Sequence, residues 1–165
     1  MSEASAADTV GRMARPGTFD PQRGYPSIVP YVRYANPAAA VQWLSEVIGA
    51  REVLRMTLPD GRIGHAELSL GTGLITLGLS TEPPVGTPSA TRSTLTAMTL
   101  VFVDDVDAAV QRALAGGGEL VDPANDQPWG LRQAIVADPE QHLWELSGYL
   151  REVGPAEWGA EVIDQ

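Results

Sequence analysis

Ala39-Ala40-Val41-Gln42 recurs further along the chain as Ala108-Ala109-Val110-Gln111. A four-residue match carries little alone, so the flanks decide whether it marks a repeat. Upstream of the first copy stands Ile28-Val29-Pro30-Tyr31-Val32-Arg33-Tyr34, and upstream of the second Met98-Thr99-Leu100-Val101-Phe102-Val103. Both are rich in β-branched and aromatic residues and read as strands. Each strand then meets a helix-start signal: Asn36-Pro37 in one copy, Asp104 or Asp105 in the other. A short Asx side chain caps free amides, and proline is tolerated at the first helical position. Apolar residues at helical spacing follow, Val41, Leu44, Val47 and Ile48 in the first copy and Val106, Ala109, Val110 and Leu114 in the second. Glycine stops each helix, Gly49 in one case and Gly116-Gly117-Gly118 in the other. Three strand candidates come after each stop: 52–58, 62–70 and 74–79, then 119–121, 131–137 and 142–147. The pattern predicts two βαβββ units, an α+β protein.

The units span residues 27–80 and 95–148. Between them, 81–94 is rich in Pro, Gly, Ser and Thr and reads as a linker. Residues 1–26 lack periodicity and contain Pro16, Gly17, Pro21 and Pro26, as an extended arm would. The tail 149–165 could form a short amphipathic helix around Trp158 and Val162 that docks on the body or on a neighbouring chain.

Composition excludes several classes. Of 165 residues, 44% are apolar, enough for a real core, and 19% are charged, an ordinary share for a folded chain. A net charge of -10 leaves nothing to neutralise phosphates, so no nucleic-acid partner is expected. Without cysteine there is no disulfide framework, thiolate metal site or cysteine nucleophile. No apolar run approaches the roughly 18–20 residues that span a bilayer, so no membrane partner is expected. Met1–Asp8 lacks the basic-then-apolar profile of a signal peptide, and the expectation is a cytoplasmic protein. Gly71-Thr72-Gly73 reads as a tight turn rather than a phosphate loop, and no serine-centred elbow is present.

The segment 129–147, above all Asp138-Pro139-Glu140-Gln141-His142-Leu143-Trp144-Glu145-Leu146, resembles the vicinal oxygen chelate superfamily of glyoxalase, bleomycin-resistance and extradiol dioxygenase relatives. The first unit resembles its PhnB-like branch through Pro30-Tyr31 and Gly64-His65-Ala66-Glu67-Leu68. The glycine usual in the second motif's turn is Gln141 here, which a change of turn type would accommodate. The resemblance covers residues 27–147. It implies curved mixed sheets around a cup, two modules facing each other to close a ligand cavity, and a homodimer that often completes that cavity across chains.

Metal-dependent members carry ligands on the first and last strand of each module. Carried over, those positions are Val29 and Met98, then Thr76 or Gly78, and Glu145. Valine has no lone pair, a thioether is a poor ligand for hard or borderline ions, and one carboxylate alone holds no metal tightly. The expected protein therefore uses no metal cofactor at the usual place.

Alternation through Val29 and Met98 puts Tyr31, Arg33, Leu100 and Phe102 on the cup face, an apolar and aromatic lining with one guanidinium. Arg33 could anchor a ligand carboxylate or phenolate, or be neutralised by Glu145. Trp129 is a stacking surface, a lid or a packing residue. Glu145 shares the cup face with Leu143 and Ser147 and is the candidate catalytic proton acceptor or ligand partner, or else a relic with a structural role. His65 and Glu67 share a face as a displaced metal site with Glu145, a general acid/base pair, or a rim hydrogen bond. His142 points away from Glu145's face and reads as a turn-edge residue. The leading expectation is a metal-free binding protein for an apolar or aromatic small molecule, with antibiotic sequestration as one use. The alternative is an enzyme (lyase, isomerase or dioxygenase) using a relocated metal or Glu145 acid/base chemistry. A third reading is a regulatory or assembly module without ligand.

Overall fold

The computed structural model describes Pro26 and residues 28–80 and 97–160. The rest of the arm, the linker and the last five residues, including Val162, lie outside the described residues. Chain order is β1 (Tyr31–Tyr34), α1 (Pro37–Ile48), β2 (Arg51–Thr57), β3 (Ile63–Leu70), β4 (Gly73–Leu79), β5 (Thr99–Phe102), α2 (Val106–Ala115), β6 (Glu119–Asp126), β7 (Leu131–Ala137) and β8 (Leu143–Tyr149). The strands form two four-stranded sheets of identical topology, β1-β4-β3-β2 and β5-β8-β7-β6. In each, the opening strand runs parallel to the last, and the remaining neighbours are antiparallel. The repeat is thus two βαβββ units. None of the helices among the described residues is long and apolar enough to cross a membrane.

Local chemistry fixes the helices as the sequence suggests. The Asn36 side chain accepts from the Ala39 amide at 3.2 Å, Pro37 opens α1, and Gly49 closes it in the left-handed conformation. Asp105, not Asp104, caps α2 by accepting from the Ala108 amide at 2.9 Å. Helix α1 buries Val41, Leu44, Val47 and Ile48 as its spacing predicts, and Trp43 besides. In α2 the expected stripe is corrected at one position: Leu114 is 39% exposed, and Ala113 takes the buried place. A small residue is needed there because α2 packs against α1 as well as against its own sheet. Arg112 ties the two helices by donating from Nε and Nη2 to the Val47 carbonyl, at 3.2 and 2.8 Å.

One core therefore joins both modules, with α1 and α2 side chains among those of the two sheets. The helix-covered faces meet, and the opposite face of each sheet is partly open: Tyr31 is 55% exposed and Phe102 45%, while Glu67 and Ser147 on those faces are buried. The expectation that the two modules close a cavity on each other is not met inside one chain. The junction is pinned instead by the β7–β8 turn. The Tyr34 hydroxyl donates to Asp138 Oδ2 at 2.6 Å, Trp144 Nε1 donates to the same oxygen at 3.2 Å, and the His142 ring lies 4.4 Å from that of Tyr34. Glu140 accepts from the amides of Ala35 and Asn36 at 2.6 and 2.8 Å.

Two further departures from the sequence reading have local causes. Strand β6 runs to Asp126 rather than ending at Val121, passing Pro123 by a break in register between Asp122 and Asn125. Proline cannot donate to a ladder, but an edge strand tolerates it at such an irregularity. The turn before β8 does not change type to suit its missing glycine. Gln141 itself takes φ 73°, the one non-glycine residue with positive φ among those described.

Candidate functional site

Pairing register places the candidate residues of the first module in two rows across its open face. Arg33, Gly78 and His65 share one row, with Met56 beyond them; Tyr31, Thr76 and Glu67 share the next. Gly78 has a steric purpose. The Tyr31 side chain lies across it, and any Cβ at position 78 would collide with the phenol. Arg33 Nη1 donates to the Tyr31 hydroxyl at 3.3 Å, and the guanidinium carbon stands 5.7 Å from the ring centroid. Arg33 Nε is buried without a hydrogen-bond partner. Beside this group, His65 Nε2 and Glu67 Oε1 are 3.2 Å apart, and Glu67 is only 3% exposed.

On the second module, Trp144 and Leu146 turn into the core, which leaves Glu145, Ser147 and Tyr149 on the open face of β8. Glu145 stands between Leu100 on β5 and Ile135 on β7, with no hydrogen-bond partner among the described residues. Buried Gln133 donates to the Ser147 hydroxyl at 2.9 Å and accepts from Trp129 Nε1 at 3.1 Å, which fixes the Trp129 ring. Phe102 and Tyr149 stack with centroids 4.9 Å apart. The tail folds back so that its 3-10 turn, Pro155–Trp158, brings Trp158 edge-on to Trp129 at 6.0 Å. A shallow, open depression of about 470 Å³ lies between Phe102, Trp129, Leu131, Tyr149, Val153 and Trp158. The tail thus docks on the body through a single turn. Tyr149 and Trp158 were not among the sequence candidates. Alternation from Glu145 points to Tyr149, and the amphipathic reading of the tail singled out Trp158 as a docking residue without assigning it to a site.

A larger groove of about 890 Å³ runs between the β3–β4 turn and β5. Two of its polar side chains have structural tasks, Asp105 as a helix cap and Arg112 as the tie to α1. It offers less chemistry than the two open faces.

The structure brings Tyr31, Arg33, His65 and Glu67 together, and separately Leu100, Phe102, Trp129 and Glu145. It does not join the two sets. Arg33 and Glu145 form no ion pair, so their mutual neutralisation is not what holds either in place. Among the described residues, no three His, Asp or Glu side chains gather closely enough to hold a metal ion, so the trio His65, Glu67 and Glu145 is not one site. The positions that hold metal in metal-dependent relatives do not suit one either. The Thr76 hydroxyl donates to the Pro30 carbonyl at 2.9 Å, Gly78 lies under Tyr31, and Val29 and Met98 offer no suitable donor.

Residues 27–146 match the model of the Glyoxalase/Bleomycin resistance protein/Dioxygenase superfamily. The chain belongs to that superfamily. An uncharacterised protein of Mycobacterium bovis is 34% identical over 143 residues, covering 85% of this chain and 94% of the relative. Among solved structures, TioX from Micromonospora sp. ML1 is 37% identical, with a TM-score of 0.56 over 74% of this chain and 98% of that one. A PhnB protein from Bacillus cereus, 15% identical with a TM-score of 0.58 over 74% of this chain and 99% of that one, shares the fold.

Proposed function

We propose that this superfamily member is a cytoplasmic, homodimeric small-molecule-binding protein of the bleomycin-resistance type. It takes an apolar or aromatic compound on the open sheet faces, with antibiotic sequestration as the biological use. The observation that carries this reading is the open aromatic depression of the second module. Phe102, Tyr149, Trp129 and Trp158 are arranged edge-on and stacked around about 470 Å³, within the range of a small-molecule site. Poor ligands at the positions where relatives hold metal support binding without one. A second copy of the chain is the natural cover for open faces that expose Tyr31, Met98, Leu100 and Phe102.

Intrinsic fluorescence tests the reading. Trp43 and Trp144 are buried, whereas Trp129 and Trp158 border the depression. Titration with a panel of planar aromatic compounds should quench emission saturably for at least one. Trp129→Ala should weaken that compound about tenfold or more, since an aromatic anchor of a binding site is worth roughly 2 kcal/mol. A panel with neither quenching nor a thermal shift contradicts the proposal.

One contact favours an enzyme as the second reading. A histidine within 3.2 Å of a buried carboxylate is suited to general acid/base work. It requires turnover of a bound compound that His65→Gln abolishes while binding persists. Glu145, flanked by aliphatic side chains, is the other position at which a Gln replacement would reveal catalysis.

A further inference from the structure

Arg33 is the one feature of the open faces that an apolar ligand would leave unexplained. A guanidinium always carries its charge, and its five donors match planar anions. Here Nη1 reaches only the Tyr31 hydroxyl, Nε is buried without a partner, and no carboxylate among the described residues pairs with it. Glu67 lies one row away and holds His65 instead. Burying a donor of a charged group without a partner is costly, and a chain of net charge -10 has carboxylates in surplus. An unpaired arginine on a half-buried face therefore points to a counter-ion brought by the ligand.

We propose that Arg33 seats the carboxylate of an aromatic acid on the open face of the first module, apart from the aromatic site of the second, and this rests on the reading above that the open faces bind small molecules. The planar guanidinium presents its terminal nitrogens to two carboxylate oxygens side by side, a geometry that lysine cannot reproduce. Tyr31 supports the seat. Its ring lies over Gly78, and its hydroxyl accepts one guanidinium N–H, which orients the remaining donors. Met56, half exposed at the far end of the same row, offers adaptable apolar contact to the ring that carries the acid. The net negative charge opposes anions at long range, so this selectivity is short-range and resides in Arg33.

A matched pair of probes tests it: 2-naphthoate and the neutral 2-naphthalenemethanol, titrated by calorimetry into the full chain. Wild type should bind the acid at least tenfold more tightly than the alcohol. Arg33→Gln should erase that preference through loss of affinity for the acid, and Arg33→Lys should restore only part of it. Thermal midpoints of both variants check that they fold, and the wild-type comparison stands without either. Equal affinities in wild type, or a preference that survives in Arg33→Gln, overturn the seat while the binding-protein reading stands. If neither probe binds, the seat is overturned, and the wider panel decides the binding-protein reading.

Discussion

Gln141 holds a left-handed backbone at φ 73° in the turn before β8. A side chain in that region costs about 1 kcal/mol that glycine would not incur. Gln141→Gly should therefore raise stability by about 1 kcal/mol in urea unfolding, and an unchanged midpoint would mean that the turn is unstrained. Three residues earlier, Asp138 is buried. Burial alone would raise its pKa, but hydrogen bonds from His142 and Tyr34 outweigh it and hold the carboxyl below the usual range. The same cluster pushes the Tyr34 hydroxyl up, by burial first and the Asp138 charge second. A depressed carboxyl stabilises the fold above its unfolded value, near pH 4, and loses that contribution as pH falls through its folded value. Asp138→Asn should lower stability by about 2 kcal/mol at pH 7 and flatten the decline below pH 4, measured by urea midpoints across pH. An unaltered acid profile would contradict this. The motif around Asp138 was legible as a family mark, yet its partner Tyr34 is 104 positions away, and nothing local in the sequence names it.

Elements were legible where one neighbour sets the pattern. Helix α1 shows a wide apolar stripe, and its cap and stop residues act as their chemistry suggests. Helix α2 misleads at Leu114 because two surfaces constrain it, its own sheet and α1. Strand β6 was hidden because Asp122-Pro123-Ala124-Asn125-Asp126 has the composition of a loop, and its exposed edge position is what permits Pro123. The glycine run after α2 reads as a stop signal, but it also admits a close approach. A Cβ at Gly118 would lie 2.7 Å from the Ala137 carbonyl and 3.0 Å from that of Ala113, with Trp43 at 3.3 Å. Neither carbonyl can yield easily, so Gly118→Ala should destabilise by roughly 2–3 kcal/mol in chemical denaturation. A change below half a kcal/mol would show that the joint is loose.

At the scale of the molecule, the repeat revealed the architecture, because each unit writes its strands and helix in the same order. How the units combine was not legible. The shared core depends on helix-to-helix packing and on the Tyr34–Asp138 junction, and it leaves both candidate faces outward. Arg33 and Glu145 could be assigned to sheet faces by alternation, but not to separate sites. If a second copy covers those faces, light scattering at micromolar concentration should report a dimer. A dissociated chain with ligand affinity intact would separate binding from assembly.

The central claim is that ligand binding needs no metal. Its most direct test is calorimetric titration of 2-naphthoate into chelator-treated protein, repeated after adding zinc, nickel, manganese or ferrous iron in turn. Saturable binding in the metal-free protein, with affinity unchanged within about twofold by every ion, is the expected result; in free energy that is about 0.4 kcal/mol at most. Binding that appears only once a divalent ion is supplied would contradict the account and return the chain to the metal-dependent branch of its superfamily.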